Sequence, residues 1–337
     1  MRISLDAMGG DHAPRTAIEG ALEAIATEPN LEIVLVGDET AIREFLPNPV
    51  PANIEILHTT EVIATEEEPV KAVRRKKDSS LVKAVELAKK EEVDAVISAG
   101  NTGALMTAGL LVAGRMKGIE RPALATMIPK IQGGVSLVLD VGANMDAKPA
   151  HLQQYAIMGS LYMEKVLGIS NPRVGLLNVG AEEAKGNDLA KSTFPLLKET
   201  PVNFIGNVEA RDVLDDACDV LVCEGFSGNI LLKNTEGTAM AIFSQLKREM
   251  TSSFFNKIGA AILKSSLKRF AKRLDYAEYG GAPMLGLKRP VFKAHGSSDA
   301  KAFKNALLAA ARFCKSDVNE LIQKELRISE SGKEENS

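Results

Sequence analysis

Six times along the chain a short apolar run ends in a cluster of glycine, asparagine, aspartate or serine, and this recurrence limits the possible folds more than any other feature. Ile3–Leu5 runs into Asp6-Ala7-Met8-Gly9-Gly10-Asp11, Leu31–Val36 into Gly37-Asp38, and Ala95–Ile97 into Ser98-Ala99-Gly100-Asn101-Thr102-Gly103. Leu137–Leu139 runs into Asp140-Val141-Gly142-Ala143-Asn144, and Val174–Leu177 into Asn178-Val179-Gly180. Val220–Val222 runs into Cys223-Glu224-Gly225-Phe226-Ser227-Gly228-Asn229. Runs this short and rich in β-branched residues read as strands buried on both faces. Helical patterns such as Ser79–Lys90 and His151–Leu167 lie between them. The alternation predicts parallel βαβ units, an α/β fold with helices on both faces of one sheet. No fixed-period repeat divides the chain, so residues 1–328 read as one α/β domain and the polar stretch 329–337 as a disordered tail.

In open parallel sheets ligands sit at the carboxyl ends of strands. There the backbone N–H groups of a glycine-rich turn and the following helix N-terminus favour an anion. One such turn would say little, since glycine also simply makes turns. Several in one chain point to a phosphate-type ligand.

The familiar nucleotide motifs fail. Gly100 and Gly103 lack dinucleotide-fold spacing, and Gly109–Gly114 has P-loop spacing but is followed by Arg115-Met116 in place of Lys and Ser/Thr. That stretch reads as a tightly packed helix, so neither NAD nor ATP is called for. There is no GxSxG elbow, and Cys218, Cys223 and Cys314 form no CxxC, which argues against a zinc site or a disulfide framework. If the chemistry is acyl transfer, the attacking group is then the bound anion itself, with proximity supplying roughly 7–11 kcal/mol of barrier reduction. Formal charge of −3 gives no field favouring nucleic acid. No run approaches the roughly 20 apolar residues of a membrane span, and Asp6 falls too early for a secretory signal, so the cytoplasm is expected.

Of four histidines, His12 and His295 stand beside glycines at strand-to-helix junctions, where an imidazole either donates to a phosphate or carbonyl oxygen or caps a loop. His58 and His151 lack that context and read as structural or surface positions.

Six motifs in order resemble the PlsX family, the phosphate acyltransferases of bacterial glycerophospholipid synthesis. They are Met1–Pro14 (MRISLDAMGGDHAP), Ser98–Ala104 (SAGNTGA), Asp140–Asn144 (DVGAN), Gly206–Glu209 (GNVE), Gly225–Asn229 (GFSGN) and His295–Asp299 (HGSSD). The resemblance spans Met1 to about Ile328. It implies a homodimer with a three-layer α/β/α architecture and a mostly parallel sheet, similar to isocitrate and isopropylmalate dehydrogenases and to phosphotransacetylase. It implies transfer of a long-chain acyl group from acyl-carrier protein to inorganic phosphate, with no metal or organic cofactor. A membrane glycerol-3-phosphate acyltransferase would use the acyl phosphate. One departure is Glu224 before Gly225, where an aspartate is more usual, which puts a contact role for Glu224 in doubt.

On that reading, backbone donors around Gly9, Gly10, Gly100, Asn101, Thr102 and Gly103, with Ser98, Gly296, Ser297 and Ser298, would cradle phosphate. Asn144, Asn178 and Asn229 end apparent strands, where their amides could reach phosphate or the thioester carbonyl. Lys185 is either a mobile positive charge near the site or an ordinary solvated lysine. Asp6 and Asp11 would orient donors, because carboxylate and phosphate repel. His295, Asn229, Lys185 and Asn178 are the candidate catalytic residues, with His12 on the binding side. The nearest rival is a phosphotransacetylase-like enzyme using short acyl-CoA. A non-catalytic membrane-associated scaffold and a nicotinamide dehydrogenase on the same fold are further alternatives, the last opposed by the missing fingerprint.

One segment stands apart. Between Thr251 and Leu274 there is no acidic residue, while Lys257, Lys264, Lys268, Arg269, Lys272 and Arg273 alternate with Phe255, Ile258, Ile262, Leu263, Leu267, Phe270 and Leu274 at helical spacing. Gly259 and Ser265-Ser266 suggest two helices. A basic amphipathic segment suits an anionic membrane surface, an acidic carrier protein, or a helical hairpin packed into a dimer. The first of these would place the protein at the inner face of the cell membrane.

Overall fold

The computed structural model describes residues 1–273 and 280–334. The first half of the chain builds β1 (Arg2–Asp6), α1 (Arg15–Thr27), β2 (Glu32–Gly37), α2 (Glu39–Arg43), β3 (Ile54–His58), α3 (Pro69–Arg75), α4 (Ser80–Lys89), β4 (Ala95–Ser98) and α5 (Thr102–Ala108). Then come β5 (Ala123–Pro129), β6 (Val135–Leu139), α6 (Pro149–Lys165), β7 (Arg173–Asn178), α7 (Asp188–Lys198), β8 (Asn203–Glu209) and β9 (Val220–Val222). The remainder forms α8 (Gly225–Met250), α9 (Phe254–Arg273), β10 (Ala282–Leu285), β11 (Val291–Lys293), α10 (Ala300–Lys315) and α11 (Val318–Glu334). Each of the six apolar runs is a strand, and the two helical patterns are α4 and α6.

The strands form one sheet in the order β3-β2-β1-β4-β11-β10-β5-β6-β9-β7-β8. Neighbours are parallel except at three adjacent steps, β11 to β10, β10 to β5 and β5 to β6. Three reversals make the parallel block β3-β2-β1-β4-β11 run opposite to the parallel block β6-β9-β7-β8. Side chains alternate between faces along each strand, and β2 shows the result. Ile33 and Leu35 enter a core with α1, α6 and α10 residues such as Ile18, Tyr155 and Phe303. Val34 and Val36 enter a second core with α3, α4 and α5 residues such as Val73, Leu81 and Leu105. The sheet is therefore the middle of three layers.

The glycine-rich stretch after α5 continues as a π-helical turn over Gly109–Ala113, a helix rather than a phosphate loop. A Cβ on Gly109 would lie 2.8 Å from Leu287 Cδ1, so the glycine serves close packing. The basic segment forms one uninterrupted helix, α9, in place of the two expected. Gly259 costs a helix interior only about 1 kcal/mol, and nothing lies within 4 Å of where its Cβ would be. Helix α9 packs against α8, with Phe243 and Phe270 ring centroids 5.9 Å apart. Its apolar side chains are largely solvent-facing: Phe255 is 82% and Ile262 76% exposed. Leu274, which ends the basic segment in sequence, lies outside the described residues. Helix α11 runs on through Ser329 to Glu334, into the stretch read as a tail; residues 335–337 lie outside the description.

Candidate active site at the middle of the sheet

The first motif loop and the Ser98–Gly103 loop stack directly on each other. Asp6, buried at the end of β1, accepts from Ser98 Oγ at 2.6 Å and from the Met8 N–H at 3.2 Å. Ser98 Oγ in turn accepts from the Gly100 N–H at 3.0 Å. A Cβ on Gly9 would stand 2.5 Å from the Gly100 nitrogen, so only glycine permits this approach. Gly10, at φ +105°, turns the chain so that the Asp11 N–H donates to the Gly296 carbonyl at 2.8 Å. The loops after β1, β4 and β11, neighbours in the sheet, are thus fastened to one another. Burial pushes the Asp6 carboxyl upward, opposed by its Ser98 hydrogen bond. Asp6 orients the Ser98 hydroxyl and the Met8 amide.

Beside these loops lies a cavity of about 320 Å³. Thr102 at the start of α5, Asn229 on α8, and His295, Ser297 and Ser298 before α10 all line it. Asn229 packs against the loop after β6: a Cβ on Gly142 would lie 3.6 Å from Asn229 Cγ. The α10 N-terminus is capped by Asp299, whose Oδ1 accepts from the Ala302 N–H at 2.8 Å. Ser298 is buried, and its N–H donates to the His295 carbonyl at 3.1 Å. The Ser297 N–H donates to His295 Nδ1 at 3.2 Å, and Ser297 Oγ lies 2.8 Å from the same nitrogen. Nδ1 is therefore an acceptor, which places the proton of a neutral imidazole on Nε2. Burial, then the nearby Lys233, lower the His295 pKa from its ordinary 6.5 and favour that neutral form.

Besides Asp299, the α10 cap, three charged side chains in the cavity wall had no place among the sequence candidates: Lys293 at the end of β11, and Lys233 and Glu236 on α8. Lys233 Nζ donates to Glu236 Oε2 at 2.8 Å. Lys233 stands four residues after Asn229, so helical periodicity places it on the same face. Lys293 closes an apolar strand two residues before His295, an unusual place for a lysine.

Several candidates stand elsewhere. Asn101 is the N-cap of α5: Oδ1 accepts from the Ala104 N–H at 3.0 Å, and Nδ2 donates to the carbonyls of Ala64, Thr65 and Glu67. Asn144 Nδ2 donates to the Pro122 carbonyl at 2.7 Å and to Asp140 Oδ2 at 3.0 Å. It lines a small crevice of about 20 Å³ next to the cavity, among Met106, Leu110, Met284 and Leu287. Asn178 lies beyond β9, on β7. Its Nδ2 donates to the Lys185 carbonyl at 3.1 Å, its Oδ1 accepts from the Val179 N–H, and the Lys185 side chain is exposed. Neither residue lines the cavity; their loop belongs to the outer part of the sheet. His12 and Asp11 are exposed at the loop surface. Glu224 is the N-cap of α8, accepting from the Phe226 and Ser227 N–H groups, a role its longer side chain performs in place of aspartate.

The other two histidines are structural. His151 is buried at the start of α6, with Nδ1 accepting from the Lys148 N–H at 3.1 Å and Nε2 3.0 Å from Glu120. His58 Nδ1 accepts from the Glu39 N–H at 3.1 Å. Burial pushes the Cys223 thiol well above its usual range and Cys218 to about 12, so neither supplies a thiolate. Among the described residues no group of three or more His, Cys, Asp or Glu could hold a metal ion.

A three-layer sheet protein with lysine, imidazole, amide and helix N-termini around one cavity falls in the class of α/β proteins whose strand-end loops enclose a polar pocket, and its fold is that of the phosphotransacetylases. A phosphotransacetylase from Streptococcus pyogenes superposes with a TM-score of 0.59 at 17% identity, over 93% of this chain and 94% of that one. A branched-chain phosphotransacylase from Enterococcus faecalis V583 gives 0.57 at 15% identity, over 93% and 99%. Residues 1–321 match the model of the family described as fatty acid synthesis protein, and the chain belongs to that family, the PlsX family of phosphate acyltransferases. A relative named phosphate acyltransferase in Brevibacillus brevis is 66% identical over 99% of this chain and the whole of that protein. Another so named, in Halalkalibacterium halodurans, is 55% identical over 99% of both.

Proposed function

We propose that the chain transfers a long-chain fatty acyl group from acyl-carrier protein to inorganic phosphate, giving acyl phosphate for glycerophospholipid synthesis. The observation that carries this reading is the cavity itself. It gathers two lysines, a histidine, Asn229, Ser297, Ser298 and the start of α5 in one space, without a cysteine. A phosphate dianion seated there attacks the thioester carbonyl carbon. The carbon–sulfur bond breaks, and the proton carried by the phosphate passes to the sulfur, leaving acyl phosphate and a free thiol. Atoms and charge balance without a covalent enzyme intermediate. The Nε2–H of neutral His295 and the Asn229 amide are the donors suited to the carbonyl oxygen as it gains charge. Ser297 and Ser298 at the start of α10 serve the phosphate.

The same reading places the protein as a homodimer, similar in architecture also to isocitrate and isopropylmalate dehydrogenases, and peripherally at the inner face of the cell membrane. Among the described residues no helix is long and apolar enough to cross a membrane. The solvent-facing Phe255, Ile258 and Ile262 and the basic Lys264 and Arg269 of α9 support contact with an anionic leaflet or with an acidic carrier protein. Leu267 is half-buried on that helix, while Lys268, Lys272 and Arg273 extend its basic run in sequence. Neutralising Lys264, Lys268 and Lys272 weakens binding to anionic vesicles; binding indifferent to charge and salt refutes the electrostatic part. A downstream membrane glycerol-3-phosphate acyltransferase would consume the product.

The function is tested with long-chain acyl-carrier protein, with and without phosphate, and no nucleotide or metal. Phosphate-dependent release of free carrier protein with acyl phosphate is the expected result. Turnover with short acyl-CoA alone would move the assignment to a phosphotransacetylase-like enzyme, and inactivity with both would leave a scaffold.

A further inference from the structure

The register of three adjacent strands puts three unlike side chains in one row. Asp6 of β1 pairs with Ser98 of β4, and Ser98 pairs with Lys293 of β11. Laterally paired residues share a face of the sheet, so carboxylate, hydroxyl and ammonium succeed one another toward Ala282 of β10, the next residue in the row. Lys293 and Ala282 both line the cavity. Lys293 Nζ donates to the Ala99 carbonyl at 3.2 Å and to the Ala294 carbonyl.

An ammonium has three N–H donors, and among the described residues the third has no partner. Nor does any described carboxylate stand within ion-pair distance of it. Asp6 already accepts from Ser98 and Met8. Asp11 is exposed on its loop, and Glu236 faces the cavity from α8 already paired to Lys233. A half-desolvated cation with an unused donor on a cavity wall is unfavourable unless an anion arrives to complete it.

We propose that Lys293 is the residue that holds the phosphate, giving its third N–H to a phosphate oxygen while the two strand-end carbonyls fix the direction of the ammonium. The inference rests on the cavity being the phosphate site. It adds a residue outside the glycine-rich motifs and gives the Asp6–Ser98 pair a further purpose, as a hydrogen-bonded polar pair behind the lysine. The groups around Lys293 are Asp6 from β1, Asp11 from the following loop, Lys233 and Glu236 from α8, His295 from its own loop and Asp299 at the start of α10. Burial lowers the ammonium to about 8, against the pull of Asp6 and with Lys233 adding to the effect. An arriving dianion raises it again. Phosphate binding above pH 8 therefore takes up a proton, which a lysine with a purely structural part would not do.

The test uses the full chain and inorganic phosphate as the probe. Calorimetric titration of the wild type at pH 8.5, in two buffers of different ionisation heat, is expected to show proton uptake that fades at pH 7. Lys293→Met is expected to raise the KM for phosphate roughly ten- to a hundredfold, the scale of a hydrogen bond to a charged group. The KM for the acyl donor should stay within about twofold, Lys293→Arg should recover part of the loss, and proton uptake should vanish in the methionine variant. A folded Lys293→Met with wild-type phosphate affinity overturns the proposal, as does zero proton uptake in a wild type that binds phosphate. Should Lys293→Met not fold, the wild-type titration decides alone. A wild type that neither binds phosphate nor shows phosphate-dependent acyl transfer overturns the underlying function instead.

Discussion

Gly228 sits buried in the first turn of α8, one residue before Asn229, where the helix meets the loop after β6. A Cβ there would lie 1.9 Å from the Asp140 carbonyl oxygen, 2.7 Å from Cys223 Sγ and 3.0 Å from the Asp140 carbonyl carbon. Backbone atoms cannot rotate aside, so Gly228→Ala must displace the start of α8 from the sheet. Overpacking of this kind costs about 1–3 kcal/mol, and a clash of this depth with main chain belongs at or above the upper figure. For 337 residues, the unfolding entropy is about 0.7 kcal/mol per kelvin, so the melting temperature falls by about 4 °C or more. Asn229 moves with the helix, and a misplacement of about 1 Å at a reacting centre can cost roughly a hundredfold in turnover. The control is Gly237→Ala on the same helix, where nothing lies within 4 Å of the new methyl group. It should gain about 0.5–1 kcal/mol in stability and keep wild-type turnover. Differential scanning calorimetry and the phosphate-dependent release assay read both variants. A Gly228→Ala protein with wild-type melting and turnover would show that the contact between α8 and the Asp140 loop is wrong.

Asp219→Asn should cost about 3 kcal/mol or more, because it strips one partner from buried Lys130; an unchanged melting temperature refutes this. Asp216, held below the usual carboxylate range by Lys130 and then by Arg173, contributes stability that is complete above the unfolded carboxylate pKa and lost as pH falls through the folded one. Asp216→Asn should accordingly flatten the acid limb of the stability curve. His151→Ala should lower stability by about 1 kcal/mol through the lost α6 cap, with both substrate KM values unmoved. In the pH profile of turnover, the acid limb assigned to His295 should lie below the ordinary histidine pKa and disappear in His295→Asn; an acid limb that survives the substitution removes His295 as its source.

The strands β1, β2, β4, β6, β7 and β9 were legible because burial on both faces writes itself as a short apolar run ending in small polar residues, whereas central β5 runs instead into Lys130-Ile131. The edge strands were not: β3 reads Ile54-Glu55-Ile56-Leu57-His58 and β8 Asn203-Phe204-Ile205-Gly206-Asn207, each mixing polar and apolar residues where one side meets solvent. β10 and β11 are short like β4 and β9, but Pro283 and Lys293 interrupt their apolar runs and no cluster of small polar residues directly follows β10. In the site, glycine-rich strand ends led to the loops that converge, but could not say which asparagine faces the cavity. Asn101 and Asn144 end strands just as Asn229 follows one, yet their amides are spent on local carbonyls and caps. Only packing separates these uses. Lys293 escaped notice because a lone lysine has no motif; its meaning comes from Ser98 and Asp6, nearly two hundred and nearly three hundred residues away in sequence, and adjacent only through the sheet.

The two strands that bridge the sheet halves are also the last made. β11 slots beside β4 and β10 beside β5, so residues 282–293 must thread between strands completed far earlier in synthesis. A chain lacking them would leave β4 and β5 as unpaired inner edges of two half-sheets, and such edges are templates for association with other chains. Closing a gap over so many residues is a slow, non-local event. The cavity wall contributed by residues 280–299 arrives with that closure. Arrest of synthesis before about residue 300 therefore leaves a sticky, inactive intermediate, and the late segment acts as the keystone that makes the two halves one enzyme.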